Sequence, residues 1–214
     1  MRKIKYLSIF LILGLMLVLS GCKKPVPLAT PVISLNESIV SWEAIPNAKE
    51  YSLQVNNTEY KTAETSYDLK NIKADAYTIK LKAISGGKAY IDSEFSNELI
   101  IHPTNKVIVS PGIVSGETVT YFVKVQSTKD VLGFIIDLTY PEDKLSIADN
   151  KIEWLKVIPD TWVHDAYVVD NHIRIAVTGL DAINVRLEQS LMKLTFTGTT
   201  AETITVASYS IDNK

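Results

Sequence analysis

Short runs of alternating apolar and polar residues make up most of the chain after residue 30. Clear examples are Tyr51–Val55, Tyr77–Ala83, Gly116–Val125 and His172–Gly179, and breakers such as Gly86-Gly87 separate such runs. Successive side chains of a strand point to opposite faces of a sheet, so this alternation indicates strands with one buried face. No comparable stretch has the period of a helix. The pattern predicts an all-β fold.

The alternation stops at His102-Pro103-Thr104-Asn105 and restarts at Val107. With 46% apolar residues the chain has enough material for two ordinary hydrophobic cores. We therefore predict two consecutive β-sandwiches, the first over residues 31–103 and the second over residues 106–214.

The first 22 residues combine a basic start, an apolar run and a cysteine. Basic residues precede the apolar run Tyr6–Leu19, whose 14 residues are short for a membrane span of about 20. Leu19-Ser20-Gly21-Cys22 resembles a lipobox, which implies a signal helix removed with residues 1–21 and lipid on Cys22. The alternatives are that the apolar run is an uncleaved membrane helix, or that Cys22 is a buried free thiol. Acyl chains on Cys22 would place the protein on the outer face of the bacterial cell membrane, with the Pro-rich residues 22–30 as a tether.

Charge and cysteine content narrow the classes of partner. Residues 1–21 hold three of the 22 basic residues and none of the 24 acidic ones, so their removal changes the formal charge from −2 to −5. An acidic chain without basic clusters argues against nucleic acid as a partner. Cys22 is the only cysteine, so packing rather than an internal disulfide must hold each sandwich together.

In the first sandwich, Trp42 ends one strand and is followed by Ala44, Pro46, Ala48 and Tyr51, and Leu69 precedes the alternating run Tyr77–Ala83. These residues match the "W…P…A..Y.V" stretch, the pre-strand leucine and the "Y.V.V.A" strand of fibronectin type III domains. The first sandwich therefore resembles a fibronectin type III domain. The resemblance implies that Trp42 seals the core, that Tyr77 is the corner tyrosine, and that the domain is a spacer without a site.

In the second sandwich, Gly116 is followed by alternating valines up to Val125, and Gly133-Phe134 is followed by Leu138, Tyr140 and Leu145. These residues match the first long strand and the "GF…L.YD…L" signature of cohesin domains, so the second sandwich resembles a cohesin domain. Two departures are Pro141-Glu142-Asp143 in place of the usual Asp-Pro and Ser190 in place of a glycine. Cohesins generally extend beyond the position that corresponds to residue 214. The resemblance implies a jelly roll of the carbohydrate-binding-module type that docks the dockerin of a secreted glycoside hydrolase.

The resemblance also implies a recognition face, and alternation predicts which side chains lie on it. With the apolar residues of the strands at 134–140, 173–177 and 191–196 turned inward, the intervening side chains point outward. Such a mixture of apolar and polar groups suits a protein partner, although an ordinary solvated sheet face is the alternative. The candidate binding face comprises Ile135, Asp137, Thr139, Arg174, Leu191 and Lys193.

Two further sets of residues could carry chemistry. Trp154 and Trp162 lie in the stretch Lys151–Val168, which shows no clear strand, and exposed tryptophans there could stack on sugar rings; the alternative is that they cap the core. His164-Asp165, Asp170 and His172 form the densest ionisable cluster, but their spacing matches no zinc pattern. No nucleophile motif or phosphate-binding glycine loop is present. We predict no enzyme activity, no cofactor and no metal.

These observations favour a non-catalytic surface lipoprotein that binds a dockerin-bearing enzyme or a polysaccharide through its second sandwich. Such a role would associate it with polysaccharide degradation. The alternatives are a carbohydrate-binding lipoprotein without a dockerin partner and a purely structural spacer.

Overall fold

A computed structural model of the protein describes residues 24–214. The predicted signal peptide, residues 1–21, and the predicted lipidation site Cys22 lie outside the described residues. The prediction of an all-β fold is confirmed, because the described residues form strands joined by turns and one 3₁₀ turn at Asp149–Lys151. None of the helical structure in residues 24–214 has the length and apolar character needed to cross a membrane.

Nine strands form the first sandwich. They are β1 (Val26–Pro27), β2 (Ile33–Asn36), β3 (Ile39–Trp42), β4 (Ala48–Val55), β5 (Thr58–Thr62), β6 (Ser66–Asp68), β7 (Tyr77–Ser85), β8 (Tyr90–Ile91) and β9 (Leu99–Ile101). Sheet I has the order β2-β3-β6, and sheet II has the order β5-β4-β7-β9. All pairs within both sheets are antiparallel, whereas β1 and β8 pair in parallel.

The core of the first sandwich lies between sheets I and II. Trp42 of sheet I packs edge-on against Tyr51 of sheet II with ring centroids 5.3 Å apart, and Leu53 and Tyr77 are fully buried beside them. The Tyr77 hydroxyl donates a hydrogen bond to the Ile72 carbonyl at 2.8 Å, and burial raises the pKa of this phenol. The predictions that Trp42 and Tyr77 belong to the core are therefore confirmed.

The segment predicted as a free tether is partly built into the first sandwich. Val26 and Pro27 form β1 beside Tyr90 and Ile91, and the Leu28 amide donates a hydrogen bond to the Ile91 carbonyl at 3.0 Å. Leu28 is also buried in the core. The prediction that residues 22–30 are a spacer is thus wrong from Val26 onward, because Val26 and Pro27 pair with β8 and the buried Leu28 gains free energy by packing in the core.

Nine further strands form the second sandwich. They are β10 (Lys106–Val109), β11 (Ile113–Ser115), β12 (Thr118–Gln126), β13 (Val131–Thr139), β14 (Ile152–Trp154), β15 (Val163–Val169), β16 (His172–Ile183), β17 (Gln189–Thr197) and β18 (Thr205–Asn213). Sheet III has the order β10-β12-β17-β14 with β11 also paired to β12, and sheet IV has the order β15-β16-β13-β18. The core between them includes Tyr121, Phe196 and Tyr140, whose rings meet edge-on.

The loop between β16 and β17 joins the two sandwiches. Leu187 in this loop is only 4% exposed and belongs to the hydrophobic cluster of the first sandwich. The side-chain amide of Asn184 donates a hydrogen bond from Nδ2 to the Lys70 carbonyl at 2.8 Å. Burying a leucine side chain contributes roughly 1.5–3 kcal/mol, so this loop couples the two cores. The residue limits of the two domains stay predictions.

An ion cluster lies beside Leu187. The Asp130 carboxylate pairs with Arg186 of the same sandwich and with Lys73 of the first sandwich. Burial raises the pKa of Asp130, but the hydrogen bonds and the positive charges of Lys73 and Arg186 outweigh this effect, so its pKa lies below the usual value. The carboxylate is therefore ionised near neutral pH and keeps its bridge between the sandwiches.

Candidate docking surface

The outer face of sheet IV is the face turned away from the core of the second sandwich. The register of β13, β15 and β16 fixes which side chains meet on it. Ile135 lies opposite Ala176, which lies opposite Asp165, and one row along, Asp137 lies opposite Arg174, which lies opposite Tyr167. Four residues predicted for the binding face lie together here: Ile135, Asp137, Thr139 and Arg174.

Large apolar side chains are exposed on this face. Ile135 is 65% exposed and Val163 is 73% exposed, and Tyr167 and Val169 also keep much of their surface in solvent. They come from strands β13 and β15, which flank β16, so they share one surface rather than being scattered. An exposed apolar group of this kind on a sheet face is typical of an interaction surface.

Charged groups lie among these apolar side chains. The Asp137 carboxylate lies 2.8 Å from Nδ1 of His172 on the neighbouring strand, and the exposed Arg174 stands between Asp137 and Tyr167. Apolar and charged groups are mixed in this way in many protein interfaces.

A depression of about 150 Å³ lies at one end of the same face, beside Ile135. Gly133 lines it, and only glycine fits at this position, because a Cβ would come within 2.6 Å of the Val177 carbonyl oxygen. Thr178 and Asp212 also line it. A depression next to an exposed isoleucine could accept one side chain of a partner.

The other two residues predicted for the binding face lie elsewhere. Lys193 is on the outer face of sheet III, where its ammonium group pairs with Glu153 at 2.7 Å. Leu191 is fully buried. The register of β12 against β17 shifts between Val123 and Lys124 and passes over Leu191, so this bulge turns both Leu191 and Met192 inward. The prediction that all six residues share one face is wrong, because β17 belongs to the opposite sheet and its alternation is interrupted.

The two tryptophans predicted as sugar-stacking candidates are not exposed platforms. Trp162 is buried, and its indole nitrogen donates a hydrogen bond to the Asp181 carbonyl at 2.9 Å. Trp154 is half-buried and lies against the His164 ring, with centroids 4.3 Å apart. The sugar-stacking prediction is therefore wrong for Trp162, whose large ring covers the core.

Sequence reasoning missed the contribution of β15 to the face. The stretch Lys151–Val168 was expected to be irregular, but it contains β14 and most of β15. Apolar residues occur on both faces of β15, with Val163, Tyr167 and Val169 outward and Ala166 and Val168 inward. This removes the alternation that identified other strands, and the paired valines of Val168-Val169 were the only available signal of a strand.

The ionisable cluster seen in the sequence does not form one site. His172 lies on the outer face of sheet IV, whereas His164 lies opposite Val177 on the inner side at the far end of β15. Asp170 is in the turn between them with a φ of 54°. Within residues 24–214 no three or more His, Cys, Asp or Glu side chains are grouped closely enough to hold a metal ion.

Comparisons with known proteins give structural likenesses only. No protein-family model matches the chain, and no curated protein matches it. A non-cellulosomal cohesin from the archaeon Archaeoglobus fulgidus is 20% identical with a TM-score of 0.39, over 50% of this chain and 78% of that one.

Two other solved structures are similar. A cohesin module from a family 33 glycoside hydrolase of Clostridium perfringens is 14% identical with a TM-score of 0.38, over 50% of this chain and 84% of that one. A chitinase from Bacillus thuringiensis is 17% identical with a TM-score of 0.31, over 90% of this chain but only 29% of its own length. All three TM-scores are below 0.5, so the fold assignment rests on the strands and sheets described above: an all-β protein of two sandwiches.

Proposed function

We propose that this protein is a non-catalytic cell-surface lipoprotein whose second sandwich docks a protein partner on the outer face of sheet IV. The exposed apolar group on that face supports this role most directly. Ile135, Val163 and Tyr167 expose much of their surface within a few strand positions of one another. Covering them with a partner would remove apolar surface from water, at about 25 cal/mol for each Å².

The cohesin resemblance of residues 106–214 suggests the class of partner. Its "GF" strand is β13, which supplies Ile135 and Asp137 to the candidate face. A dockerin carried by a secreted glycoside hydrolase is therefore the partner we propose, and it associates the protein with polysaccharide degradation. Lipid on Cys22 would hold that enzyme at the outer face of the cell membrane.

Capture experiments on residues 23–214 test this proposal. These residues contain every member of both hydrophobic clusters. The immobilised protein should retain, from the proteins secreted by the same organism, one that carries a dockerin repeat. A calcium chelator should abolish retention, because dockerins of this class fold around calcium.

Face variants show whether the retained protein uses sheet IV. Ile135→Asp and Val163→Asp should each reduce retention at least about tenfold, since an interface residue in a central position often contributes more than 1.4 kcal/mol. Lys193→Glu on the opposite sheet should leave retention unchanged. Retention that survives Ile135→Asp, or that Lys193→Glu abolishes, would show that docking does not occur on this face.

A further inference from the structure

The outer face of sheet II in the first sandwich carries a shallow depression of about 250 Å³. We infer that it binds one residue of a neutral polysaccharide chain built from pyranose rings. This inference concerns the first sandwich alone and does not depend on the docking role of the second. The side chains that line the depression are Ser52, Gln54, Asn57, Glu59, Lys82 and Phe95.

Phe95 supplies an aromatic surface at the rim of this depression. It lies between β8 and β9, and 41% of its surface is exposed. The ammonium groups of Lys80 and Lys82 lie over its ring, 5.6 and 5.7 Å from the centroid, which is within cation–π range. The two ammonium groups thus hold the ring on the sheet while 41% of the residue stays in solvent, and a ligand that covers this remaining apolar surface would gain hydrophobic free energy.

The backbone on either side of Phe95 is firmly held. The Ser93 amide donates to the Ala83 carbonyl at 2.9 Å, and the Ser96 amide donates to the Leu81 carbonyl at 2.7 Å. Both serine hydroxyls accept hydrogen bonds in return, from the amides of Ala83 and Leu81. Phe95 is thus presented by a segment pinned on both sides rather than by a mobile loop tip, and a pinned aromatic loses little conformational entropy when it binds.

Polar groups that suit sugar hydroxyls lie next to the ring. Gln54 of β4 lies opposite Glu59 of β5 in the register, and the Ser52 hydroxyl donates to the Glu59 carboxylate at 2.7 Å. The carboxamide of Gln54 can donate and accept, the Glu59 carboxylate accepts, and the Lys82 ammonium donates. A pyranose ring has both requirements at once: hydroxyls around its edge and an apolar C–H surface on its face.

The charge and size of the depression define the ligand class. Its lining contains one carboxylate, Glu59, and one ammonium group, Lys82, so it favours neither an anionic nor a cationic sugar. Its volume is smaller than the roughly 300–1,000 Å³ of an enclosed small-molecule pocket. An open depression of this size suits one sugar residue of a chain that continues across the sheet.

Nuclear magnetic resonance of residues 23–214 tests the inference. Cellohexaose, xylohexaose and mannohexaose are the probes, each titrated separately. At least one should shift the side-chain amide signals of Gln54 and Asn57, and the affinity of Phe95→Ala for it should be about tenfold lower, the equivalent of 1.4 kcal/mol. Phe95→Trp should restore the affinity, because it restores the aromatic surface.

Tyr209→Ala is the matched control, since Tyr209 is an aromatic residue that is 45% exposed on the other sandwich. It should bind the sugar like the unaltered protein. If no probe shifts Gln54 or Asn57, or if Phe95→Ala binds as tightly as the unaltered protein, the inference is wrong. Neither result bears on docking, which Ile135→Asp tests on a different sheet.

Discussion

Trp162 and Gly179 form a closely packed pair in the second sandwich. A Cβ atom on Gly179 would overlap the Trp162 indole ring, so only glycine fits beneath it. The indole is fixed there by its hydrogen bond to the Asp181 carbonyl. Trp162, predicted as a residue that could bind a sugar, instead covers the core, and its position requires a glycine at position 179.

This packing predicts the effect of one added methyl group. Gly179→Ala should destabilise the second sandwich by about 1–3 kcal/mol, because the indole must move out of a filled site. Urea unfolding monitored by tryptophan fluorescence measures the change. Gly87→Ala is the control, since nothing lies within 4 Å of a Cβ at Gly87, and it should change stability by no more than about 0.5 kcal/mol. Equal stability of the two variants would contradict the described packing.

At the scale of the strand, sequence reasoning was accurate where alternation is regular. The runs 134–140 and 172–179 are predicted as strands and lie in β13 and β16, apart from Tyr140, which follows the end of β13, so the outward positions of Ile135 and Arg174 followed correctly. Strand β17 differs because its bulge places two consecutive residues, Leu191 and Met192, in the core. A bulge depends on the partner strand, which the local sequence does not reveal.

Leu180 and Leu187 are close in sequence but behave oppositely. Leu187, in the loop between β16 and β17, is inserted in the core of the first sandwich, whereas Leu180, within the irregular end of β16, is 97% exposed. Sequence reasoning could not separate these two, since neither leucine belongs to a regular alternating run and the cluster that receives Leu187 belongs to the first sandwich, far from it in the sequence.

Leu187→Ala should therefore destabilise the first sandwich although the substitution lies in the second. The expected cost is about 2–5 kcal/mol, as for other large-to-small core substitutions, and calorimetry should show the two sandwiches unfolding separately. Leu180→Ala, the same change at an exposed site, should alter stability by no more than about 0.5 kcal/mol. If the two variants unfold alike, Leu187 does not couple the sandwiches.

At the scale of the whole molecule, the division into two β-sandwiches could be expected from the break at His102–Asn105 and from the two runs of alternation around it. The contact between the sandwiches could not. It depends on Leu187, on the Asn184 amide and on the ion cluster of Asp130 with Lys73 and Arg186. These groups are distant in sequence and come together only when both folds are complete.

The proposed anchoring also concerns the whole molecule and has a direct test. Cells grown with labelled palmitate should incorporate the label into the protein and retain it in the membrane fraction. Cys22→Ser should abolish both, because the serine hydroxyl cannot form the thioether that carries the lipid. Ser8→Ala, within the apolar run, should change neither. Label retained by Cys22→Ser would contradict lipidation at this residue.

The pairing of β1 with β8 would limit the freedom of an anchored molecule. Only four peptide steps separate Cys22 from Val26, where the fold begins, and at full extension they span about 14 Å. With so short a connection, the first sandwich would stay close to the lipid headgroups. Because Leu187 and the Lys73–Asp130 ion pair join the second sandwich to the first, the docking face of an anchored molecule would stay within a limited range of heights above the bilayer.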